Sequence, residues 1–248
     1  MSEEVNQLAK LLIAARRSGT RIETLPEALI PADIAQALAV QHLVAATIGP
    51  IGGWKVGAPG GTRMCGALPA ATIQPSPAVL DGAKHPLRCV ESEICFRVAA
   101  DLPPRPNPYS RQEVMAALGS MHPAIEVCES RYAEPNGFNL PTNLADTQSH
   151  GGLVYGAGRS DWHGIDMTAE VCEQQVNGAR DAGRTGYPFG DIIDLVTWLA
   201  NEGSTWAGGL KAGQYVTCGS WSGANRVPAG ATVTAKFSSF EQVKISYT

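Results

Sequence analysis

The stretch Val90-Glu91-Ser92-Glu93-Ile94-Cys95-Phe96-Arg97-Val98 alternates in polarity and reads as a β-strand. Successive side chains on a strand point to opposite faces. Glu91, Glu93 and Cys95 therefore share one face, and Ser92, Ile94, Phe96 and Val98 the other. The second set is the more apolar and marks the core side. The first places two carboxylates roughly 7 Å apart along the strand, a span that one cation can bridge.

Downstream, Ala124-Ile125-Glu126-Val127-Cys128 reads as another strand, with Glu126 between apolar neighbours that face the other way. Three carboxylates with no histidine beside them in sequence suit a hard ion such as Mg²⁺ or Mn²⁺. A plainer reading stands beside this one. Glu-x-Glu on a strand is commonly a solvated face that also blunts a sheet edge. Spacing alone does not separate the two.

Around these strands the chain mixes helices and short strands without regular alternation, which points to an α+β fold. Val5, Leu8, Leu11, Leu12 and Ala15 recur at helical spacing and predict a helix over 4–17 that stops at Gly19. A second helix is expected over about 31–47, with Pro31 and Asp33 in its first turn. Residues 52–57 read as a short strand, and 58–80, rich in Gly, Ala and Pro, as an irregular loop over a site. Ser110-Arg111-Gln112-Glu113 is a capping box that opens a helix to about Met121. Asn177-Gly178 marks a two-residue hairpin turn. A helix is expected over 188–202, then strands over 214–219, 232–237 and 243–247. The expected organisation is one domain: a helical N-terminal region, 1–50, packed on a core of 51–248.

The bulk composition narrows the function. Of 248 residues, 44% are hydrophobic and 17% charged, enough for a sizeable core. Net charge is −4 and the 19 Lys and Arg are scattered along the chain, which argues against a nucleic-acid surface. No apolar run reaches membrane-spanning length, and the acidic start Ser2-Glu3-Glu4 is unlike a signal peptide. The six cysteines form no Cys-x-x-Cys pair and fit reduced thiols in a cytoplasmic protein.

Three segments in order carry a resemblance: Gly53-Trp54-Lys55-Val56-Gly57, Glu91-Ser92-Glu93-Ile94, and Ile125-Glu126-Val127-Cys128-Glu129-Ser130-Arg131. Together with Leu144-Ala145-Asp146-Thr147-Gln148-Ser149 and Leu210-Lys211-Ala212-Gly213-Gln214-Tyr215-Val216 followed by Gly219-Ser220, this order resembles a family. It is that of the 2-keto-4-pentenoate hydratases and 4-oxalocrotonate decarboxylases, in the fumarylacetoacetate hydrolase superfamily. The resemblance implies a rolled β-sandwich with outer helices. It implies a metal, Mg²⁺ or Mn²⁺, held by Glu91, Glu93 and Glu126, and a homo-oligomer. It also implies a small-molecule 2-oxo acid substrate, as in breakdown of aromatic compounds.

Lys55 is then the leading catalytic candidate, expected to have a lowered pKa beside a cation and to move protons or bind the substrate carboxylate. Gly57, Ser149, Ser220 and Arg63 are candidate substrate-binding residues, Arg63 as a partner for a distal carboxylate. Cys95 and Cys128 follow the carboxylates at i+2 on the same face and are expected to pack beside the metal, and His150 to lie near the site. His122 is expected at a helix end. The stretch after Lys55 departs from the family pattern: an aspartate expected near Ile73-Gln74-Pro75-Ser76-Pro77 is absent. Hydration of a 2-hydroxy-dienoate leads. Decarboxylation, carbon–carbon hydrolysis of an acylpyruvate and a catalytically inactive binding protein on the same fold stay open.

Overall fold

The computed structural model describes residues 2–134 and 139–248. Helices α1 (Glu3–Ser18) and α2 (Ile34–Ile48) open the chain. Ser2 caps α1 by accepting from the Val5 N–H, and Gly19, at φ +73°, ends it in the left-handed region that glycine enters without strain. Asp33 caps α2 by accepting from the Gln36 N–H at 2.8 Å. Val5, Leu8 and Leu12 of α1 meet Ala37, Val40 and Val44 of α2 in an apolar cluster completed by Met64, Tyr132 and Leu144.

The sheet elements follow: β1 (Ile51–Gly57), β2 (Met64–Pro69), β3 (Ile73–Pro75), β4 (Ala78–Leu80), β5 (Cys89–Val98), α3 (Arg111–Ala117), β6 (Leu118–Cys128), α4 (Leu140–Ala145), β7 (His150–Tyr155), β8 (Val171–Val176), β9 (Ala179–Thr185), α5 (Ile192–Trp198), β10 (Tyr215–Ser220), β11 (Asn225–Arg226), β12 (Thr232–Phe237) and β13 (Val243–Tyr247). One mixed sheet runs β2-β1-β10-β5-β6-β7-β3, with β11 beside β5. A second runs β4-β13-β12-β8-β9. Ile94, Phe96, Ile125 and Val127 of the first sheet and Val233, Ala235, Val243 and Ile245 of the second share one buried cluster. The sheets thus sandwich the main core. Cys95, Ala124, Leu68 and Leu153 pack on the opposite face of the first sheet, as the alternation around Glu93 requires.

Three local expectations are corrected. Residues 58–80 carry three short strands, and β2 is fully buried against β1, because sheet pairing satisfies a Gly- and Ala-rich backbone that has little helical or strand signal of its own. The capping box at Ser110 is present, but α3 ends at Ala117 and β6 begins at Leu118. Pairing with β5 along nearly its whole length outweighs local helix propensity there, and it places His122 mid-strand. The helix expected from 188 begins only at Ile192, where Asp191 caps it by accepting from Ile193 N–H at 2.8 Å, and a wider turn over Leu199–Gly203 continues it. The Asn177-Gly178 turn has both residues at positive φ, 52° and 82°, as a tight hairpin requires. No helix among the described residues is long and apolar enough to cross a membrane.

Candidate metal centre

Strand register assembles the carboxylates. Glu91 of β5 lies directly opposite Glu126 of β6, and Glu93 is two residues along the same face. An oxygen from each lies within 4.8 Å of the others, close enough for all three to ligate one metal ion. Glu93 and Glu126 are almost wholly buried, at 2% and 0% exposure, so the plainer reading of a solvated strand face does not describe them.

The groups around the cluster hold it in shape. The Thr217 hydroxyl donates to Glu93 Oε2, and the Gly219 N–H donates to the same oxygen at 3.1 Å. The β10–β5 pairing shifts register between Thr217 and Ser220, and Gly219 sits in that bulge at φ +92°. The Cys128 thiol donates to Glu91 Oε2 at 3.2 Å. Cys128 therefore touches the cluster, whereas Cys95 packs in the apolar layer beneath it. Lys55 Nζ reaches Glu126 Oε1 at 2.7 Å and the Gln148 carbonyl at 3.1 Å. His150 Nδ1 lies 3.3 Å from the same Oε1, while Glu126 Oε2 is buried with no hydrogen-bond partner.

Burial raises the pKa of Glu93 well above the usual carboxylate value, and repulsion from Glu126 and Glu91 adds to it. Burial raises Glu91 too, partly offset by Lys55. Burial also opposes ionisation of Glu126, but Lys55 and His150 outweigh it and leave Glu126 below its usual value. Lys55 behaves contrary to expectation. Burial disfavours its ammonium, yet Glu126 above all, with Cys128, Glu91 and Glu93, more than reverses this, and its pKa is raised. Three crowded carboxylates against one ammonium leave excess negative charge in a desolvated site. That excess and the unpartnered Glu126 oxygen are what a divalent hard cation would satisfy, so the residues fit one.

A cavity of about 300 Å³ opens over the cluster, lined by Lys55, Gly57, Glu91, Glu93, Ser149 and Ser220 among others. Its outer wall is apolar or neutral: Ala58, Met64, Leu140, Asn143, Leu144 and Phe189. Arg63 is not in this wall; it lies exposed just before β2. Gln74, from the stretch where an aspartate was expected, lines a separate cavity.

The segment Thr147-Gln148-Ser149 takes positive φ at three consecutive non-glycine residues, 51°, 51° and 58°. Each such residue stores of order 1 kcal/mol or more, so the surroundings must impose the shape. Asp146 does much of this: it is fully buried, pairs with Arg131 Nε at 2.6 Å and Arg16 Nη2 at 3.2 Å, and accepts from Arg131 N–H at 2.9 Å. Arg16 also donates to the Thr147 hydroxyl. The strained turn aims the Gln148 carbonyl at Lys55 and puts Ser149 on the cavity wall. Asp146, Arg131 and Arg16 carry no local motif that announces this cluster: Arg131 lies 15 residues from Asp146, and Arg16 lies 130 away on α1.

Comparison with known proteins agrees with this architecture. No protein-family model matches the chain. A 4-oxalocrotonate decarboxylase from Pseudomonas sp is 26% identical over 166 residues, 64% of this chain and 60% of that protein. A 2-keto-4-pentenoate hydratase from Paraburkholderia xenovorans (strain LB400) is 29% identical over 131 residues, 52% of this chain and 48% of that protein. The chain thus matches about half to three fifths of the length of these relatives, which are enzymes. Among solved structures, the 4-oxalocrotonate decarboxylase from Pseudomonas putida G7, complexed with magnesium and adipate, superposes with a TM-score of 0.83 at 22% identity, covering 99% of this chain and 98% of that one. A Yersinia pestis CO92 protein assigned to the fumarylacetoacetate hydrolase family gives a TM-score of 0.59 at 15% identity, over 80% of this chain and 93% of that one. The fold is that of the fumarylacetoacetate hydrolase superfamily, and the sequence resembles its hydratase and decarboxylase branch.

Proposed function

We propose that this chain, with its fumarylacetoacetate hydrolase fold, is a divalent-metal-dependent lyase that adds water to a 2-hydroxy-dienoate or its 2-oxo-enoate tautomer, giving a 4-hydroxy-2-oxo acid. The observation that carries the reading is that Glu91, Glu93 and Lys55 line one cavity, with Glu126 buried against all three. Glu91, Glu93 and Glu126 are the residues that would hold Mg²⁺ or Mn²⁺. Such an ion, when bound, supplies Lewis acidity that stabilises negative charge on the substrate's 2-oxo oxygen.

The chain's own residues do the rest. The Lys55 ammonium lines the cavity and keeps its proton, so it pairs with the substrate carboxylate. Its bond to Glu126 holds it in place for that role. Ser149 and Ser220 lie on the wall within reach of substrate oxygens, and Gly57 leaves backbone beside them uncovered. The apolar outer wall excludes water from the reacting carbons except where substrate admits it.

The same wall favours hydration of a short, neutral-tailed substrate over decarboxylation. Lys55 is the one cation among the described residues that line the cavity. A distal carboxylate would therefore enter without a partner. Decarboxylation of a 2-oxo dicarboxylate is the second reading, favoured by the similarity to the Pseudomonas decarboxylase. A homo-oligomer is part of the proposal, as the resemblance implies.

The deciding experiment offers Mg²⁺-loaded protein 2-hydroxypenta-2,4-dienoate and, separately, a 2-oxo-hexenedioate, with products read by NMR. A 4-hydroxy-2-oxo acid from the first substrate supports the proposal. Carbon dioxide from the second, with no hydration of the first, assigns the chain to the second reading.

A further inference from the structure

We infer that His150, backed by Thr72, is a positioning residue that turns Glu126 toward the metal. The inference rests on the metal reading of the three carboxylates. His150 begins β7 opposite the end of β6, fully buried. Its Nδ1 faces Glu126 Oε1 at 3.3 Å. A carboxylate oxygen only accepts, so the ring proton of this contact sits on Nδ1. The Thr72 hydroxyl lies 2.9 Å from Nε2, and with Nδ1 protonated it donates its one proton to that nitrogen, in competition with the Pro69 carbonyl 2.8 Å away.

The terminal torsion of a glutamate is soft and nearly two-fold, so one contact does not fix its carboxylate plane. Lys55 alone would leave Glu126 free to pivot about the 2.7 Å bond. Two donors on one oxygen, approaching from different sides, remove that freedom. Lys55 comes from the cavity over the cluster. His150 and Thr72 come from a second cavity of about 870 Å³, lined also by Arg16, Glu129 and Arg131. The result is an Oε2 with no protein partner, which is the atom left for the cation. Support of this kind behind a metal ligand is worth about 10- to 100-fold in metal affinity.

The test measures Mn²⁺ binding to the full chain by calorimetry and by the Mn²⁺ electron paramagnetic resonance spectrum. The variants are His150→Ala, His150→Asn and Thr72→Val, with thermal unfolding in chelator as the folding control. The expected result is Mn²⁺ affinity lowered about 10- to 100-fold in His150→Ala, with an altered Mn²⁺ spectrum. In His150→Asn, whose side-chain amide can donate from the position of Nδ1, most of the affinity returns. Thr72→Val, at a partly exposed position, weakens binding in the same direction and serves if His150→Ala does not fold. Native affinity and spectrum in both folded His150→Ala and Thr72→Val would overturn the inference alone and leave His150 a packed core residue. A native chain that binds no Mn²⁺ would overturn the metal reading and this inference with it.

Discussion

Replacing Glu93 by Gln should stabilise the metal-free protein and abolish its response to Mg²⁺. The carboxylate oxygens of Glu93, Glu91 and Glu126 lie within 4.8 Å of one another. At an effective dielectric near 20, one ionised pair at that distance repels by about 3.5 kcal/mol. Glu93 meets two such neighbours and is 2% exposed. The cost is bounded, since a group whose pKa rises past the solution pH takes up a proton. From the ordinary value of 4.5, that bound at pH 7 is about 3.4 kcal/mol. Glutamine keeps an oxygen for Thr217 and Gly219 but loses the charge that strengthens those bonds, about 1 kcal/mol. The net gain is about 2 kcal/mol, or about 4–8 °C in Tm for a chain of this size. Differential scanning calorimetry in chelator and in excess Mg²⁺ reads both halves. A metal-free Glu93→Gln protein no more stable than native, or one that still gains Tm with Mg²⁺ as native does, would refute the electrostatic account. The sign of the pH dependence follows from the same shift. The folded carboxyl binds its proton more tightly than the unfolded one, so metal-free native protein should lose stability as pH rises above about 4.5. Glu93→Gln should flatten that slope.

Lys55→Met removes the cation that meets the substrate carboxylate and should lower kcat/KM of the Mg²⁺-loaded protein by about 10²-fold, as loss of one partner of a buried charge pair does, while metal-bound protein stays folded; steady-state kinetics beside circular dichroism checks it. Asp146→Ala leaves Arg16 and Arg131 without their shared carboxylate and should cost about 3–5 kcal/mol in urea unfolding. Gly219→Ala should cost about 1–3 kcal/mol and weaken metal binding, because the residue sits at φ +92° and its new methyl group would lie 2.9 Å from the Phe189 ring. The fall in Mg²⁺ affinity by calorimetry separates this from a purely structural loss.

Much of the fold and of the metal centre was legible because it obeys period-two alternation. Glu91 and Glu93 could be placed on one face from β5 alone, Glu126 joins them only through the family resemblance and then the β5–β6 register, and the cap at Ser110 acts within a turn of sequence. What escaped depends on distant partners. The strands of 64–80 exist because β1, β7 and β13 offer them backbone groups, not because their own residues favour extension. The raised pKa of Lys55 depends on Glu126, far along the chain, and reverses the expectation drawn from burial alone. The left-handed turn at Thr147–Ser149 has no glycine to announce it and is imposed by Asp146 with Arg16 and Arg131. His150 had no partner in sequence, and only the β6–β7 register sets it against Glu126.

The central claim is that Glu91, Glu93 and Glu126 hold a divalent cation that in turn receives a 2-oxo acid. Calorimetric titration of oxalate, a non-reacting chelator of the same shape, tests it directly on native chain and Glu93→Ala, each with and without Mg²⁺. The account predicts oxalate binding to native protein only when Mg²⁺ is present, and none to Glu93→Ala in either condition. Oxalate binding that ignores Mg²⁺, or that survives in Glu93→Ala, would contradict it.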